Sequence, residues 1–145
     1  MSHAFIVNVE AAIYKDGQYL IIKRSEAEEY AGGLYSLVGG KIDFSESSLQ
    51  VLEDNLRREV DEEIGINLGK DLKYVHSTTF MADGVQVLDV VFLSPNVEGS
   101  PYIKSPEEIT EIKWMTCEDI QGSSEIPLWT KTSVRLAEKL RKSLD

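Results

Sequence analysis

The sequence predicts an α/β protein, a mixed β-sheet held between helices, and three observations carry that prediction. Two β-rich stretches separated by Asp16-Gly17 come first, followed by a long helical stripe of apolar residues. More β-rich runs come after the stripe, and a second helical pattern closes the chain. Strands on both sides of a helix imply a sheet covered by helices, because each apolar face must be buried against another element.

Phe5 to Tyr14 is apolar and β-branched, and the Asp16-Gly17 turn leads into a second strand, Gln18 to Arg24, giving a hairpin. Ser25 to Gly33 is polar, ends in Gly32-Gly33 and reads as a loop; Leu34 to Val38 is a short strand running into Gly39-Gly40. A first long helix is expected over Ser45 to Ile64. Ser47 and Gln50 have capping-box spacing, and Gly65 suits the left-handed residue that ends a helix. Leu49, Leu52, Leu56, Val60 and Ile64 form its apolar stripe. Strands follow at Lys73 to Phe80, Val85 to Leu93 and Ile109 to Met115, with a loop over Asn96 to Pro106. Pro127 to Ser143 reads as a closing helix. Leu128, Val134 (or Lys131), Leu136, Leu140 and Leu144 lie near one side, and Lys139, Arg141 and Lys142 occupy its last turns, where cations suit the helix dipole.

The 145 residues fit one domain, with no linker, repeat or low-complexity tract to divide them. A net charge of −10 argues against a nucleic-acid polymer or an anionic membrane as partner. An anionic substrate must therefore arrive with metal ions or meet a local basic patch. Cys117 is the sole cysteine and reads as an inert thiol near a strand end, which fits a reducing compartment. The first run contains Glu10 and has no positive lead-in, so it reads as a strand and not as a signal peptide. No apolar stretch approaches the roughly 20 residues that span a bilayer. The expected location is the cytoplasm.

Chemistry concentrates at the end of the first helix. Glu59, Glu62 and Glu63, at i, i+3 and i+4, project from nearly one side. At about 100° per residue, Glu63 falls inside the apolar sector while Glu59 and Glu62 lie progressively outside it. A carboxylate facing a core needs a cation, a proton or a donor network. Hard oxygen ligands suit Mg²⁺ or Mn²⁺. The plainer reading is a solvated acidic face screened by Arg57 and Arg58, with Asp54 and Arg58 as an i,i+4 pair. Lys23 and Arg24, ending the second strand, are candidate phosphate contacts, with a solvated strand edge as the simpler reading. His3 and His76 have no ligand-spaced companions, and His76 reads as a strand side chain. Tyr35, Tyr74, Phe80 and Trp129 could stack on a nucleobase, with core packing as the simpler reading of each.

Gly40 to Glu46, followed by Arg58-Glu59-Val60-Asp61-Glu62-Glu63-Ile64-Gly65-Ile66, resembles the Nudix (MutT-like) hydrolase box, and the likeness extends over essentially the whole chain. The spacing departs at one place. Eleven residues separate Glu46 from Arg58 where the family usually has seven, an addition of about one helical turn. Such a turn at the front of the helix leaves Glu59, Glu62 and Glu63 in place but shifts Glu46 relative to Arg58, so Glu46 is not counted as catalytic. Val38 stands where many members have proline, and Tyr35 where tryptophan is frequent.

The resemblance implies a Nudix-type α/β/α sandwich that hydrolyses a diphosphate bond in a nucleoside diphosphate derivative or nucleoside triphosphate. It implies Mg²⁺, with Mn²⁺ as a substitute, held by Glu59, Glu62 and Glu63 and by the carbonyl of Gly39. Glu108, before the last predicted strand, matches an additional acid that serves some members as ligand or base, with a solvated loop position as its plainer reading; Glu59 is the other candidate base. Lys41 and Arg58 can touch phosphate, with an ion-pair role the simpler one for Arg58. Homodimers are frequent in that family. Two rival readings remain: a Nudix-like module that binds a nucleotide or partner without hydrolysis, and an acidic α/β interaction protein. Which diphosphate is cut is not legible.

Overall fold

The computed structural model describes residues 4–28, 31–43 and 48–144. Strand β1 (Phe5–Lys15) and β2 (Gln18–Arg24) form the expected hairpin, turning at Asp16 and Gly17 with both φ values positive. Next come β3 (Tyr35–Ser36), β4 (Val38–Lys41), helix α1 (Val51–Ile64), β5 (Asn67–Leu68), β6 (Lys73–Ala82) and β7 (Val85–Ser94). β8 (Val97–Glu98), β9 (Ile109–Met115), α2 (Cys117–Gly122) and α3 (Leu128–Ser143) complete the chain. β6 and β7 turn at Asp83-Gly84, a second Asp-Gly hairpin of the same backbone type.

The main sheet runs β3-β2-β1-β7-β6, with β4 added to β1 and β9 to β2. It is mixed: β1 and β7 run parallel from Phe5–Gln86 to Ile13–Ser94, and the other pairings are antiparallel. Side chains alternate across β1, so its two faces feed separate cores. Val9, Ala11 and Ile13 join Leu56, Val60 and Ile64 of α1. Ala12 joins Tyr19, Ile21 and Leu93 beneath Ile120 of α2 and Val134 and Ala137 of α3. The sandwich is the expected one. β1 and β2 pair next to their turn, at Tyr14–Tyr19 and Lys15–Gln18; farther along, β1 takes up β4 and β2 takes up β3. The candidate site lies where these strands part.

Several boundaries differ from expectation. The described part of the first helix begins at Val51, and Gln50 caps it without a side-chain bond; Ser45 and Ser47 lie outside the described residues. The extra residues therefore do not lengthen the helix through 48–50, which form a turn, and Leu49 is fully exposed instead of joining the stripe. The glycine pair lies within β4, and the short strand expected over Leu34 to Val38 is split between β3 and β4. β8, within the expected loop, pairs with β5 as a separate two-stranded sheet. α2 carries too few apolar positions to show a period. In α3 the buried positions are Thr130, Ser133, Val134 and Ala137, while Leu128 and Leu144 are exposed at its ends. Tyr35 is buried, but Tyr74, Phe80 and Trp129 are exposed, contrary to core packing. β6 is an edge strand, and Trp129 sits in the first turn of α3. His76 is a strand residue bonded to Ser133 Oγ at 2.9 Å. Cys117 opens α2 half-buried, and burial pushes its thiol up.

Candidate active site

Gly39 and Gly40 lie on β4 opposite Glu10 and Val9 of β1. They are required for want of space. A Cβ on Gly39 would run into the Val9 carbonyl oxygen, and one on Gly40 would lie 2.5 Å from the Glu59 carboxylate. The bare backbone of β4 therefore lets Glu59 lie directly over it, joining the glycine pair to the acid cluster as the sequence suggested.

α1 supplies three acids at three depths. Glu63 is only 7% exposed, and its Oε2 is buried with no bonding partner. Glu59 is partly buried and pairs with Arg58 Nη1 at 3.2 Å. Glu62 is turned outward, more than half exposed, with Arg58 Nη1 3.2 Å from its Oε2. Arg58 also donates from Nη2 to Asn55 Oδ1 at 2.9 Å, so its role here is an ion pair. Gly65 ends the helix in the left-handed conformation, its N–H reaching the Asp61 carbonyl.

A strap between β8 and β9 brings Glu108 to these acids. Tyr102 N–H donates to the Ile64 carbonyl at 3.1 Å and Lys104 N–H to the Glu63 carbonyl at 3.0 Å. The Tyr102 ring occupies the space where a Cβ of Gly65 would be. Buried Ser105 donates its hydroxyl to Glu107 Oε1 (2.6 Å) or Glu108 Oε2 (3.2 Å). The Glu108 carbonyl accepts from Ser25 N–H at 2.8 Å, which ties the strap to the residue after Arg24. Glu108 thus comes within hydrogen-bonding reach of Glu63, and the Arg24 charge acts on Glu63 and Glu10. Lys41 is exposed at the end of β4.

The model of the NUDIX domain matches residues 4–137. This chain belongs to the NUDIX domain family. It is a Nudix hydrolase, acting on phosphorus acid anhydrides. No curated protein sequence matches it. Among solved structures it is similar to the MutT protein of Methanosarcina mazei Go1, at 27% identity and TM-score 0.80 over 98% of this chain and 99% of that one. It is also similar to the MutT NUDIX hydrolase of Burkholderia pseudomallei, at 27% identity and TM-score 0.77, covering 92% and 98%. The Nudix domain of Shewanella oneidensis NrtR, solved with ADP ribose, shares the fold at 19% identity and TM-score 0.69, covering 100% and 90%. No helix among the described residues is long and apolar enough to cross a membrane.

The electrostatics of this Nudix site are those of crowded acids. Burial, then the contact with Glu108 and the charges of Glu59 and Glu108, push the Glu63 carboxyl up to about 9. Glu59 is raised too, chiefly by burial, with Arg58 opposing. Two ionised carboxylates repel, so a proton or a cation between Glu63 and Glu108 is needed to make their contact attractive. Without metal, folded Glu63 keeps a proton that the unfolded chain loses near its ordinary value of 4.5. Stability is therefore highest below that value and declines as pH rises toward 9, by up to about 1.4 kcal/mol per pH unit for this one proton. Thermal melts of chelated protein from pH 5.5 to 9 should fall more steeply for wild type than for Glu63→Gln. Equal slopes would contradict the assignment.

The donor set fits a hard divalent cation: acidic oxygens, one of them buried and orphaned, with Glu59 lying over the bare backbone of Gly40. Among the described residues no three acids form a ready-made ligand cage, since Glu62 is held by Arg58. A cavity of about 860 Å³ lies elsewhere, between the β1–β2 turn and the β5–β8 sheet, and contains Arg57 but none of the three acids. Three residues at the site escaped the sequence reading. Glu10 is an acid in an apolar strand opposite Gly39, its carboxyl raised by burial and by Asp89. That interruption was its signal. Asn55 and Ser105, both buried and bonded to site residues, left no pattern to read.

Proposed function

We propose that this Nudix hydrolase is a Mg²⁺-dependent pyrophosphohydrolase, a single Nudix domain over residues 1–145, working in the cytoplasm on a nucleoside diphosphate derivative or a nucleoside triphosphate. The observation that carries the reading is the buried, partnerless Glu63 Oε2 set against a second carboxyl. Such an arrangement is costly unless a cation resolves it.

Glu59, Glu62 and Glu63, with the Gly39 carbonyl, would hold the metal, Glu62 exchanging its Arg58 partner for the ion. Bound Mg²⁺, or Mn²⁺ in its place, supplies charge neutralisation across two phosphates and a more acidic attacking water. Water attacks one phosphorus, the bridging P–O bond breaks, and the bridging oxygen leaves with the other phosphate. Glu108, backed by Ser105 and within reach of Glu63, would accept the water's proton. Arg24, whose charge already acts on Glu63, can offset phosphate charge, and Lys41 is the outer candidate. ADP ribose in the Shewanella oneidensis domain supports a nucleotide derivative as the ligand class.

The test is a panel of nucleoside diphosphate derivatives and nucleoside triphosphates assayed with Mg²⁺ or Mn²⁺, reading the product nucleotide. Turnover should require the metal and stop with chelator. Manganese alone should raise the melting temperature, since a ligand at 100 times its Kd adds about 2.7 kcal/mol. A rise in melting temperature without turnover on any compound favours the binding module, and no response to metal at all sinks both readings.

A further inference from the structure

A buried carboxamide on α1 joins the end of β4 to Arg58. Asn55 is 8% exposed, one turn before Glu59 on the same side of α1. Its Oδ1 accepts from the backbone N–H of Asp43 at 2.8 Å and from Arg58 Nη2 at 2.9 Å, and its Nδ2 donates to the Val51 carbonyl at 2.8 Å. Both partners of the first atom are donors, so the carboxamide has only one workable orientation. Asp43 lies three residues past Gly40 and Arg58 grips Glu59 and Glu62, so one buried atom bonds both the strand that carries the glycines and the cation that steers the acids.

We propose that Asn55 is a positioning residue of the acid site: its carboxamide oxygen sets the Arg58 guanidinium against Glu59, the acid it keeps when Glu62 turns to the ion, and clasps the chain leaving Gly40 to the same helix. The Asp43 bond spans twelve residues of sequence, the interval that contains the extra residues. An aliphatic side chain at 55 fills the space equally well but leaves Arg58 without an acceptor on that side. The inference rests on the reading that the acids hold a divalent cation.

Asn55→Ala tests it, because alanine suits a helix and removes all three bonds. Manganese binding, followed by electron paramagnetic resonance, should weaken about tenfold, the lower end for partners that orient metal ligands. Asn55→Asp keeps the acceptor and should stay near wild type. In an Arg58→Ala background, Asn55→Ala should weaken binding by clearly less than it does in wild type, the remainder coming from its bond to Asp43. Nitrogen-15 NMR of the metal-free protein reads the same contact directly: the Arg58 guanidinium should rotate slowly in wild type and freely in Asn55→Ala. Unchanged manganese affinity in Asn55→Ala, an equal loss in the Arg58→Ala background, or unchanged guanidinium rotation would overturn the proposal. Wild-type protein that binds no manganese while its Arg58 still rotates slowly would instead remove the metal reading, and with it the steering of ligands.

Discussion

Glu63→Gln is expected to reduce metal-dependent turnover by at least about a hundredfold while making the metal-free protein more stable than wild type. Partners one step behind a ligand already cost about 10–100-fold when removed, so loss of the ligand itself should cost no less. The gain in stability follows from the same burial. Folding wild-type protein near neutral pH requires Glu63 to take up a proton, because its carboxyl is pushed up to about 9. Glutamine has nearly the same shape, carries no charge and can donate to Glu108. The expected gain in chelated protein is on the order of 1–2 kcal/mol, visible as a higher melting temperature. Opposite movement of activity and stability distinguishes a functional acid from a packing residue, which would lose both. Near wild-type turnover in a folded variant would remove Glu63 from the mechanism.

Gly39→Ala and Gly40→Ala should fail in different ways although the residues are adjacent. The Cβ added at 39 meets the Val9 carbonyl, a backbone atom in a paired strand that cannot swing aside. Relief requires β4 to move off β1, where Gly39 faces Glu10 and Gly40 faces Val9. A loss of about 3 kcal/mol or more is expected, roughly 10 °C in melting temperature for a chain of this size. The Cβ added at 40 meets the Glu59 side chain, which can rotate away. That variant should fold with a loss under about 1.5 kcal/mol but bind manganese poorly, because its ligand has been displaced. Parallel melts and manganese titrations of the two variants separate these outcomes. Equal destabilisation of both would mean that the glycines serve the sheet alone.

The fold was legible where one physical signal dominated. The Asp16-Gly17 turn located the first hairpin, and Leu56, Val60 and Ile64 revealed the buried side of α1 by their spacing. Glu63 was readable for the same reason, an acid at a core angle. Legibility failed where tertiary contacts overrode local pattern. Leu49 looked like part of the stripe, but the helix begins after it. α3 buries Thr130 and Ser133, whose hydroxyls bond Tyr35 O and His76, while Leu128 at its first turn stays outside. The two-residue strands β5 and β8 are too short to show a period. Asn55 and Ser105 are ordinary polar residues in sequence; their importance is in what they touch.

Backbone hydrogen bonds fasten the strap that carries Glu108 to other elements: Tyr102 to Ile64, Lys104 to Glu63, and the Glu108 carbonyl to Ser25. None of them depends on which side chains occupy 97–101. Because these bonds are made by main-chain atoms, side-chain changes along the strap leave Glu108 tied to α1 and to the residue after β2. The acid is thereby anchored to the helix it faces by main chain alone, whatever chemistry its immediate neighbours carry.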